Sequence, residues 1–407
     1  MSNIDNQEPL LRVEHLCQYF KSGNYENKAV NDVSFDIKKG EVFGLVGESG
    51  CGKTTTGRSI IRIYDITSGS IYFKGQRICA GTRSYKDAIK AARKELKALK
   101  PGDPMSEQRR RELEESISLN RDEIRKAKFD HKNSDRVYAE KLVKEVKERY
   151  EPELKAAEGD PVKLAELKKK YKDELRVAKN TKLITQIQMI FQDPIASLNP
   201  RMTVKEIISE GLVINGIRDQ AYIDEKVYEI LEMVGLVREH AGRYPHEFSG
   251  GQRQRIGIAR SVIMKPDLLI ADEPISALDV SIQAQVINLL NDLRDQLGLT
   301  ILFIAHDLSV VKYFSDRIGV MYYGNMVELA PSEELFAHPM HPYTRSLLSA
   351  IPLPDPRAEK RRKRITYNAL AAHDYSVDKP TLREIIPGHF VHCNDAEEQA
   401  YRKEFNL

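Results

Sequence analysis

The chain has 407 residues, enough for one large α/β domain and one or two additions. Its 41% hydrophobic and 30% charged residues are typical of a globular protein, and a formal net charge of +3 gives no general argument for nucleic acid or an anionic surface as a partner. The four cysteines contain no C-x-x-C pair, which argues against a disulfide framework or a cysteine metal site. No signal peptide is recognisable, and no apolar run approaches the ~20 residues of a membrane-spanning helix.

The N-terminal region predicts a small antiparallel sheet followed by a buried strand. Apolar and polar residues alternate between positions 10 and 45, and the last of the predicted strands, Val42–Val46, is apolar throughout. A glycine-rich turn comes next, and a helix is predicted to begin near Lys53. Residues 68–79 have the pattern of a short β-hairpin.

The composition changes abruptly between residues 81 and 180, which carry 28 Lys+Arg and 21 Asp+Glu. Apolar residues recur there every three or four positions, which predicts helices with narrow apolar stripes. The predicted helices lie near residues 83–100, 104–150 and 161–178. Asp103-Pro104 and Asp160-Pro161 each place a capping residue before a proline at the first helical position. We expect residues 81–182 to form a helical hairpin or coiled coil inserted into the globular domain.

The globular pattern resumes at Gln186 with the strand IQMIF, and a helical region is predicted from about 203 to 263. Two apolar strands, Leu268–Ala271 and Thr300–Ala305, are separated by one predicted helix. Such alternation of helices with continuous apolar strands predicts a parallel sheet buried on both faces. The chain is therefore expected to have an α/β fold. A basic run at residues 359–364 is interpreted as a solvated surface segment.

The segment GESGCGKT, Gly47–Thr54, fits the pattern G-x-x-x-x-G-K-[ST] between a predicted strand and a predicted helix. In that context backbone N–H groups can surround a phosphate, Lys53 can reach the β- and γ-phosphates, and the Thr54 hydroxyl can ligate Mg²⁺. The alternative, a surface turn that matches by chance, does not explain the strand and helix on either side. The residues predicted to contact a nucleotide here are Gly47, Ser49, Gly50, Cys51, Gly52, Lys53, Thr54 and Thr55. The place of Cys51 at a helix N-terminus beside Lys53 predicts a lowered thiol pKa.

The segment LLIADEP, Leu268–Pro274, ends a buried strand in two adjacent carboxylates. Sites in parallel sheets lie at this end of the strands. Asp272 is predicted to hold Mg²⁺, and Glu273 to orient and deprotonate an attacking water. The alternative is an ordinary helix-start signal.

The segment FSGGQRQR, Phe248–Arg255, resembles the signature of the ATP-binding-cassette family, usually LSGGQ. Phe248 replaces the leucine at a position expected to be packed. Other motifs of the family follow in the usual order: Gln192 in MIFQDP, Asp279 in SALD and His306 in IAHDL.

The resemblance implies a P-loop NTPase (RecA-like) core, an antiparallel β subdomain and a helical subdomain that carries the signature. It implies ATP and Mg²⁺ as cofactors, Glu273, His306 and Gln192 as catalytic residues, and Gln192 as a further magnesium ligand. Ser249, Gly251, Gln252 and Asp279 are implied to contact nucleotide, with Ser249 and Gly251 acting on nucleotide bound to a partner subunit. Phe20 matches the aromatic residue that stacks on adenine, and Tyr19 is the neighbouring candidate.

Longer segments, such as QMIFQDPIASLNPRMTV and RYPHEFSGGQRQRIGIAR, resemble the oligopeptide/dipeptide branch of bacterial importers. HPYTRSLLSAIP at 341–352 is similar to the C-terminal element of that branch, and PGHFV at 387–391 to its F-type ATPase subunit. The implied organisation is a cassette over residues 8–330, interrupted by the insert, and an extension over 331–407. The implied partners are a D-type ATPase subunit as heterodimer, two transmembrane permease subunits and, indirectly, a peptide-binding protein, without nucleic acid, at the cytoplasmic face of the membrane.

Several alternatives stay open at this point. The cargo implied by the branch is an oligopeptide, a dipeptide or a nickel chelate. An ATPase of the DNA-repair kind has its coiled coil between the motifs of Gln192 and Ser249, which here are only 57 positions apart, and a ribosome-acting ATPase has two cassettes. Cys393 alone stands where relatives carry a cysteine cluster, so no iron–sulfur centre is expected. The insert is expected to be an autonomous, solvated appendage, with a docking arm or a lipid-facing surface as alternatives.

Overall fold

The computed structural model of the protein describes residues 8–99, 104–157, 159–276, 278–351 and 363–405. The strands are β1 (Leu11–Ser22), β2 (Tyr25–Ile37), β3 (Val42–Val46), β4 (Ser68–Phe73), β5 (Gln76–Ala80), β6 (Ile187–Ile190), β7 (Leu268–Asp272), β8 (Thr300–Ala305), β9 (Arg317–Tyr322), β10 (Asn325–Pro331), β11 (Thr381–Ile386) and β12 (His389–Cys393).

The helices are α1 (Lys53–Ile60), α2 (Arg83–Ala98), α3 (Pro104–Ala156), α4 (Pro161–Asn180), α5 (Pro194–Ser197), α6 (Val204–Ile214), α7 (Gln220–Met233), α8 (Gly250–Val262), α9 (Val280–Leu297), α10 (Leu308–Phe314), α11 (Ser332–Ala337), α12 (Pro342–Ser349), α13 (Ala369–Ala372) and α14 (Asp395–Glu404). Short 3-10 turns lie at Leu183–Gln186, Arg238–Gly242 and Pro245–Glu247. Among the described helices, none combines the length and apolar character needed to cross a membrane.

Two sheets form the framework. One is antiparallel, with the strand order β2-β1-β4-β5, and the other has the order β11-β12-β10-β9-β3-β8-β7-β6. Within the larger sheet β9, β3, β8, β7 and β6 are parallel, whereas β10, β12 and β11 pair in antiparallel fashion at one edge. The predicted parallel core and antiparallel β subdomain are therefore present.

Burial explains why the central strands are apolar throughout. Every residue of β3, β7 and β8 is buried, because one face of the sheet packs on α6–α10 and the other on the antiparallel sheet. The helical subdomain predicted over 203–263 contains α6, α7 and α8. Thr203 and Glu206 form a reciprocal capping box that starts α6.

The charged insert contains α2, α3 and α4, as predicted. The 53 residues of α3 make a helix about 80 Å long at 1.5 Å per residue. α2 packs on its first part around Ile89 and Leu113, and α4 on its last part, where the Tyr150 and Tyr171 rings are 5.4 Å apart. The Asp160 carboxylate caps α4 as predicted. Asp103 and most of the basic run at 359–364 lie outside the described residues.

The middle of α3 lies against the cassette, so the insert is not wholly a solvated appendage. Arg77 of β5 contacts the Asp130 carboxylate at 2.7 Å. Tyr138 is 7% exposed and belongs to the same buried cluster as Phe73 and Leu183. Whether the insert folds and acts autonomously stays a prediction, but the expectation of a wholly solvated appendage is wrong, because α3 supplies part of the cassette's own core. The period of its apolar residues could not indicate this, since the contact uses a few side chains in the middle of a long polar helix.

Candidate functional site

The glycine-rich loop turns sharply between β3 and α1. Gly47 and Gly52 have φ angles of 150° and 107°, in the region that side chains with a Cβ rarely adopt. A Cβ on Gly52 would lie 2.2 Å from the Ala29 carbonyl oxygen, and one on Gly47 2.2 Å from that of Met321. Glycine is therefore required at both ends of the turn. Glu48, Ser49 and Gly50 between them are exposed at its tip.

The N-terminus of α1 is suited to an anion. Within the part of the chain that the structure describes, no side chain caps this helix, and its first turn contains no acidic residue. Its first N–H groups and its dipole are thus available to a phosphate. The Lys53 ammonium is buried and donates to the carbonyl oxygens of Gly47 at 2.8 Å and Glu48 at 2.9 Å. A phosphate in the loop would compete with these carbonyls for the ammonium. Thr55 lies in the first turn of α1, and its backbone carbonyl oxygen accepts a hydrogen bond from the Ser59 hydroxyl at 2.8 Å.

Thr54 and Asp272 come together although 218 positions separate them. The Thr54 hydroxyl donates to Asp272 Oδ1 at 2.8 Å. Asp272 is fully buried at the end of β7, and its Oδ2 has no hydrogen-bond partner among the described residues. Burial raises the pKa of Asp272, while the Thr54 bond and Arg58 act in the opposite direction. A hydroxyl beside a carboxylate oxygen without a partner is a donor set that fits Mg²⁺.

Glu273 and two further predicted residues come together. Gln192 Nε2 donates to Glu273 Oε2 at 3.1 Å, and His306 Nδ1 lies 3.3 Å from the same oxygen. They follow β6, β7 and β8, so the carboxyl ends of three neighbouring parallel strands place them together. Glu273 has φ 45°, and its amide donates to the Ile304 carbonyl at 2.9 Å. Ser276 bonds its carbonyl, which fixes the strained turn.

The signature residues lie elsewhere. Ser249 and Gln252 cap α8 reciprocally, with backbone-to-side-chain distances of 3.3 and 3.1 Å. A Cβ on Gly251 would lie 2.8 Å from Ile282 Cγ2, so this glycine lets α9 approach. Phe248 is buried, as predicted for a packed position.

Within the described residues, no hydrogen bond or ion pair joins Ser249 or Gln252 to the glycine-rich loop or to Glu273. Asp279 is exposed at the start of α9, and Ala277 beside it lies outside the described residues. The roles assigned to these residues across a subunit boundary therefore remain predictions.

Tyr19 and Phe20, both in β1 of the antiparallel sheet, line a pocket of about 560 Å³. The Tyr19 hydroxyl donates to Asn31 at 2.6 Å, and the Arg83 guanidinium lies 5.4 Å from its ring centre. Phe20 is 37% exposed, with its ring edge-on to Tyr64 at 5.2 Å. Its ring is the freer of the two, so Phe20 stays the predicted adenine contact.

The structure corrects the expectation for Cys51. The side chain is 6% exposed, and burial raises the pKa of the Cys51 thiol, although the Lys53 charge opposes this. The lowered pKa inferred from the helix N-terminus is wrong, because loss of water around the sulfur outweighs the attraction of the ammonium.

One residue beside the site was missed by the sequence reasoning. Tyr343 of α12 is 1% exposed, and its hydroxyl accepts a hydrogen bond from the Glu48 amide at 3.0 Å. Its motif, HPY, pointed only to a branch of the resemblance, and no local pattern places residue 343 beside residue 48.

Comparison with known proteins adds independent findings to this geometry. A family described as "ABC transporter" matches residues 30–157 and 153–276. The chain belongs to the ABC transporter family. Its ABC cassette is thus an ATPase domain. A second family, described as "Oligopeptide/dipeptide transporter, C-terminal region", matches residues 327–377.

Individual relatives of this ABC protein match over nearly the full chain. The oligopeptide transport ATP-binding protein OppF of Bacillus subtilis is 46% identical over 395 residues, covering 97% of this chain and 99% of that protein. AmiF of Streptococcus pneumoniae, also named an oligopeptide transport ATP-binding protein, is 43% identical, covering 98% and 99%. The solved cbiO1 of Clostridium perfringens, part of an ABC transporter complex, has a TM-score of 0.51 at 21% identity over 82% of this chain and 92% of that one, which supports the fold alone.

Proposed function

We propose that this chain binds and hydrolyses ATP as one ATPase subunit of a bacterial importer for oligopeptides or dipeptides. The observation that carries the hydrolytic part is the meeting of Gln192 and His306 on one Glu273 oxygen, beside the Thr54–Asp272 pair. The cargo class is supported by the names of the relatives and by the family matched at residues 327–377.

Separate residues are assigned to the phosphates, the metal and the attacking water. Lys53 and the first N–H groups of α1 hold the β- and γ-phosphates, and Thr54 and Asp272 hold Mg²⁺. When bound, the metal neutralises charge on the phosphate oxygens. Glu273 orients a water in line with the γ-phosphate and takes its proton, while Gln192 and His306 fix the orientation of its carboxylate. Gln192 also comes within reach of the metal in this proposal.

A second ATPase subunit is needed to complete the site. Among the described residues, no hydrogen bond joins Ser249 to this chain's own loop, and the start of α8 is exposed. We infer that Ser249 and Gly251 cap nucleotide bound to a D-type partner in a head-to-tail heterodimer, with Gln252 and Asp279 at the same boundary. The two membrane permease subunits place the pair at the cytoplasmic face of the membrane.

A groove beside Gln192 supports contact with a membrane subunit. It has a volume of about 720 Å³ and is lined by both apolar and charged side chains. Its lining includes Ile61, Phe191, Ile214, Met264, Arg58 and Glu210. An amphipathic helix seated there would contact the segment that carries Gln192, so permease movement and hydrolysis can be coupled.

Reconstitution tests the function. The purified chain alone should hydrolyse MgATP slowly, and adding a D-type subunit, both permeases and a peptide-loaded binding protein should raise phosphate release by more than tenfold. Nickel-chelate cargo, tested side by side, is the second candidate of the same branch. A chain that is fully active alone and unaffected by the other subunits would contradict the importer subunit assignment.

A further inference from the structure

The C-terminal extension reaches the phosphate loop through one buried hydroxyl. Tyr343 Oη accepts the hydrogen bond of the Glu48 amide at 3.0 Å. Glu48 is also the residue whose carbonyl oxygen binds the Lys53 ammonium at 2.9 Å. The backbone N–H and carbonyl groups of Glu48 thus connect α12 to Lys53, the lysine that is proposed to bind phosphate. None of the roles proposed above uses Tyr343.

The segment that carries Tyr343 is held firmly by a buried acid. Glu328 of β10 is fully buried, and its carboxylate accepts the backbone N–H groups of Met340 at 2.7 Å and His341 at 3.0 Å. His389 Nε2 lies 2.8 Å from the same carboxylate and is also fully buried. Donors from β12 and from the start of α12 therefore converge on one strand residue, and α12 has little freedom to move.

Packing fixes the ring as well as the backbone. His341 Nδ1 caps α12 by accepting the Tyr343 amide at 3.1 Å. The Tyr343 ring lies 4.4 Å from the ring of Tyr322 and 5.5 Å from that of Tyr367. Burial raises the pKa of Tyr343 well above its ordinary value, so the side chain stays a neutral hydroxyl at any physiological pH. Its oxygen is a fixed acceptor aimed at the loop.

We propose that Tyr343 is a positioning residue for the phosphate loop, through which the C-terminal extension sets nucleotide affinity. The tip of the loop from Glu48 to Gly50 is exposed, so it has few other contacts to order it before nucleotide binds. An acceptor held in place from outside the loop lowers the entropy that binding must remove. The inference rests on the proposed function, because it requires the loop to bind nucleotide.

The test compares two Tyr-to-Phe changes in the full-length chain. Tyr343→Phe removes the acceptor and keeps the buried ring. Tyr367→Phe removes a hydroxyl from the same aromatic cluster that makes no hydrogen bond to the loop among the described residues. Loss of one such bond should raise the Kd for MgATP, measured by calorimetry, about 3- to 10-fold in Tyr343→Phe. In the reconstituted transporter KM should rise in parallel while kcat stays within about twofold, and Tyr367→Phe should leave all three within about twofold.

A second readout reports on the loop without nucleotide. Cys51 lies in the same loop and is 6% exposed. If Tyr343 orders the loop, Tyr343→Phe should accelerate maleimide labelling of Cys51, assigned by peptide mass spectrometry, at least threefold at unchanged thermal midpoint.

The outcomes separate the two claims. Unchanged Kd and unchanged labelling in Tyr343→Phe overturn the positioning role, and so does an equal loss in Tyr367→Phe, which would indicate general packing. If the parent chain itself fails to bind MgATP, the proposed function fails instead.

Discussion

Gln192 Nε2 and Glu273 Oε2 are 3.1 Å apart, and Gln192 directly extends the segment that leaves β6. β6 is preceded by the turn Leu183–Gln186, which packs on α3 of the insert. The position of the Glu273 carboxylate, the proposed base, therefore depends on a series of contacts that starts in the insert and not in the phosphate loop. Changes to these contacts should affect the rate of hydrolysis more than the affinity for nucleotide.

Glu273→Gln should leave MgATP binding within about twofold and lower turnover by more than tenfold. The amide can still orient a water and accept from Gln192, but it cannot take a proton. Phosphate release by the reconstituted transporter and equilibrium binding are the two measurements. Glu225→Gln, on the exposed side of α7, is the matched control. A loss below tenfold, or about 1.4 kcal/mol of barrier, would show that Glu273 is not the base.

The C-terminal extension should lose stability in acid because of His341. Burial, with the nearby His373, His392 and Arg345, lowers the pKa of His341 to about 3. Since the unfolded chain binds this proton near pH 6.5, the stabilising contribution is complete above pH 6.5 and declines as the pH falls toward 3. One such group gives a slope of up to about 1.4 kcal/mol per pH unit in that window.

His341→Asn should flatten this slope, because asparagine keeps a capping oxygen for α12 but does not titrate. The free energy of unfolding should be measured between pH 7.5 and 4.5. Its slope with pH should correspond to about one proton fewer taken up on unfolding than in the parent chain. His338→Asn, at a side chain that is 53% exposed, is the matched control. Parallel pH profiles for parent and His341→Asn would exclude the linkage.

Cys51 should react slowly with a maleimide at neutral pH, because burial of the sulfur raises its pKa and restricts access. Labelling should accelerate as the pH rises toward 9, and saturating MgATP should slow it further by covering the loop. Peptide mass spectrometry distinguishes Cys51 from the other cysteines, which are also buried. Rapid labelling at pH 7 that MgATP does not affect would place the sulfur outside the loop's interior.

The sequence was sufficient to predict features that depend on residues close together in the chain or on the parallel arrangement of strands. The apolar strand that ends in two carboxylates already placed Asp272 and Glu273 at one edge of a sheet, whereas His306 came only from the family resemblance. The three insert helices followed from their periods and from the Asp160 cap. These features depend on spacing along the chain, which the sequence records directly.

Contacts between distant segments could not be predicted in this way. The Tyr343–Glu48 bond joins residues 295 positions apart, and neither residue is unusual in its own neighbourhood. Cys51 lies in the same buried cluster as Met321, which is far away in the chain. The Lys53 ammonium, two residues along the chain, suggested a reactive Cys51 thiol, whereas burial of the sulfur determines the direction of its pKa shift.

The insert should have two parts with different consequences for activity. The Tyr150 and Tyr171 rings, on opposite arms of the α3–α4 pair, are 5.4 Å apart, so a short Gly/Ser turn can join them in place of residues 151–170. That truncation removes only the outer end of the pair. We expect it to leave MgATP affinity, hydrolysis and the thermal midpoint close to those of the parent chain.

Tyr138→Ala should behave differently, because it changes the docked middle of α3. Its ring fills part of the core next to Leu183, and its hydroxyl lies 3.4 Å from Lys74 Nζ, which also contacts Asp267 at 2.7 Å. Removing a buried aromatic side chain costs roughly 3–5 kcal/mol, and here the gap lies behind the turn that leads to β6. The expected result is lower unfolding free energy together with slower hydrolysis at nearly unchanged MgATP affinity, with Tyr138→Phe intermediate. Replacing all of residues 83–180 by a Gly/Ser linker should give the same defect as Tyr138→Ala or a larger one. A folded protein of parental stability and hydrolysis after that replacement would show that α3 is an appendage and that Gln192 is positioned without it.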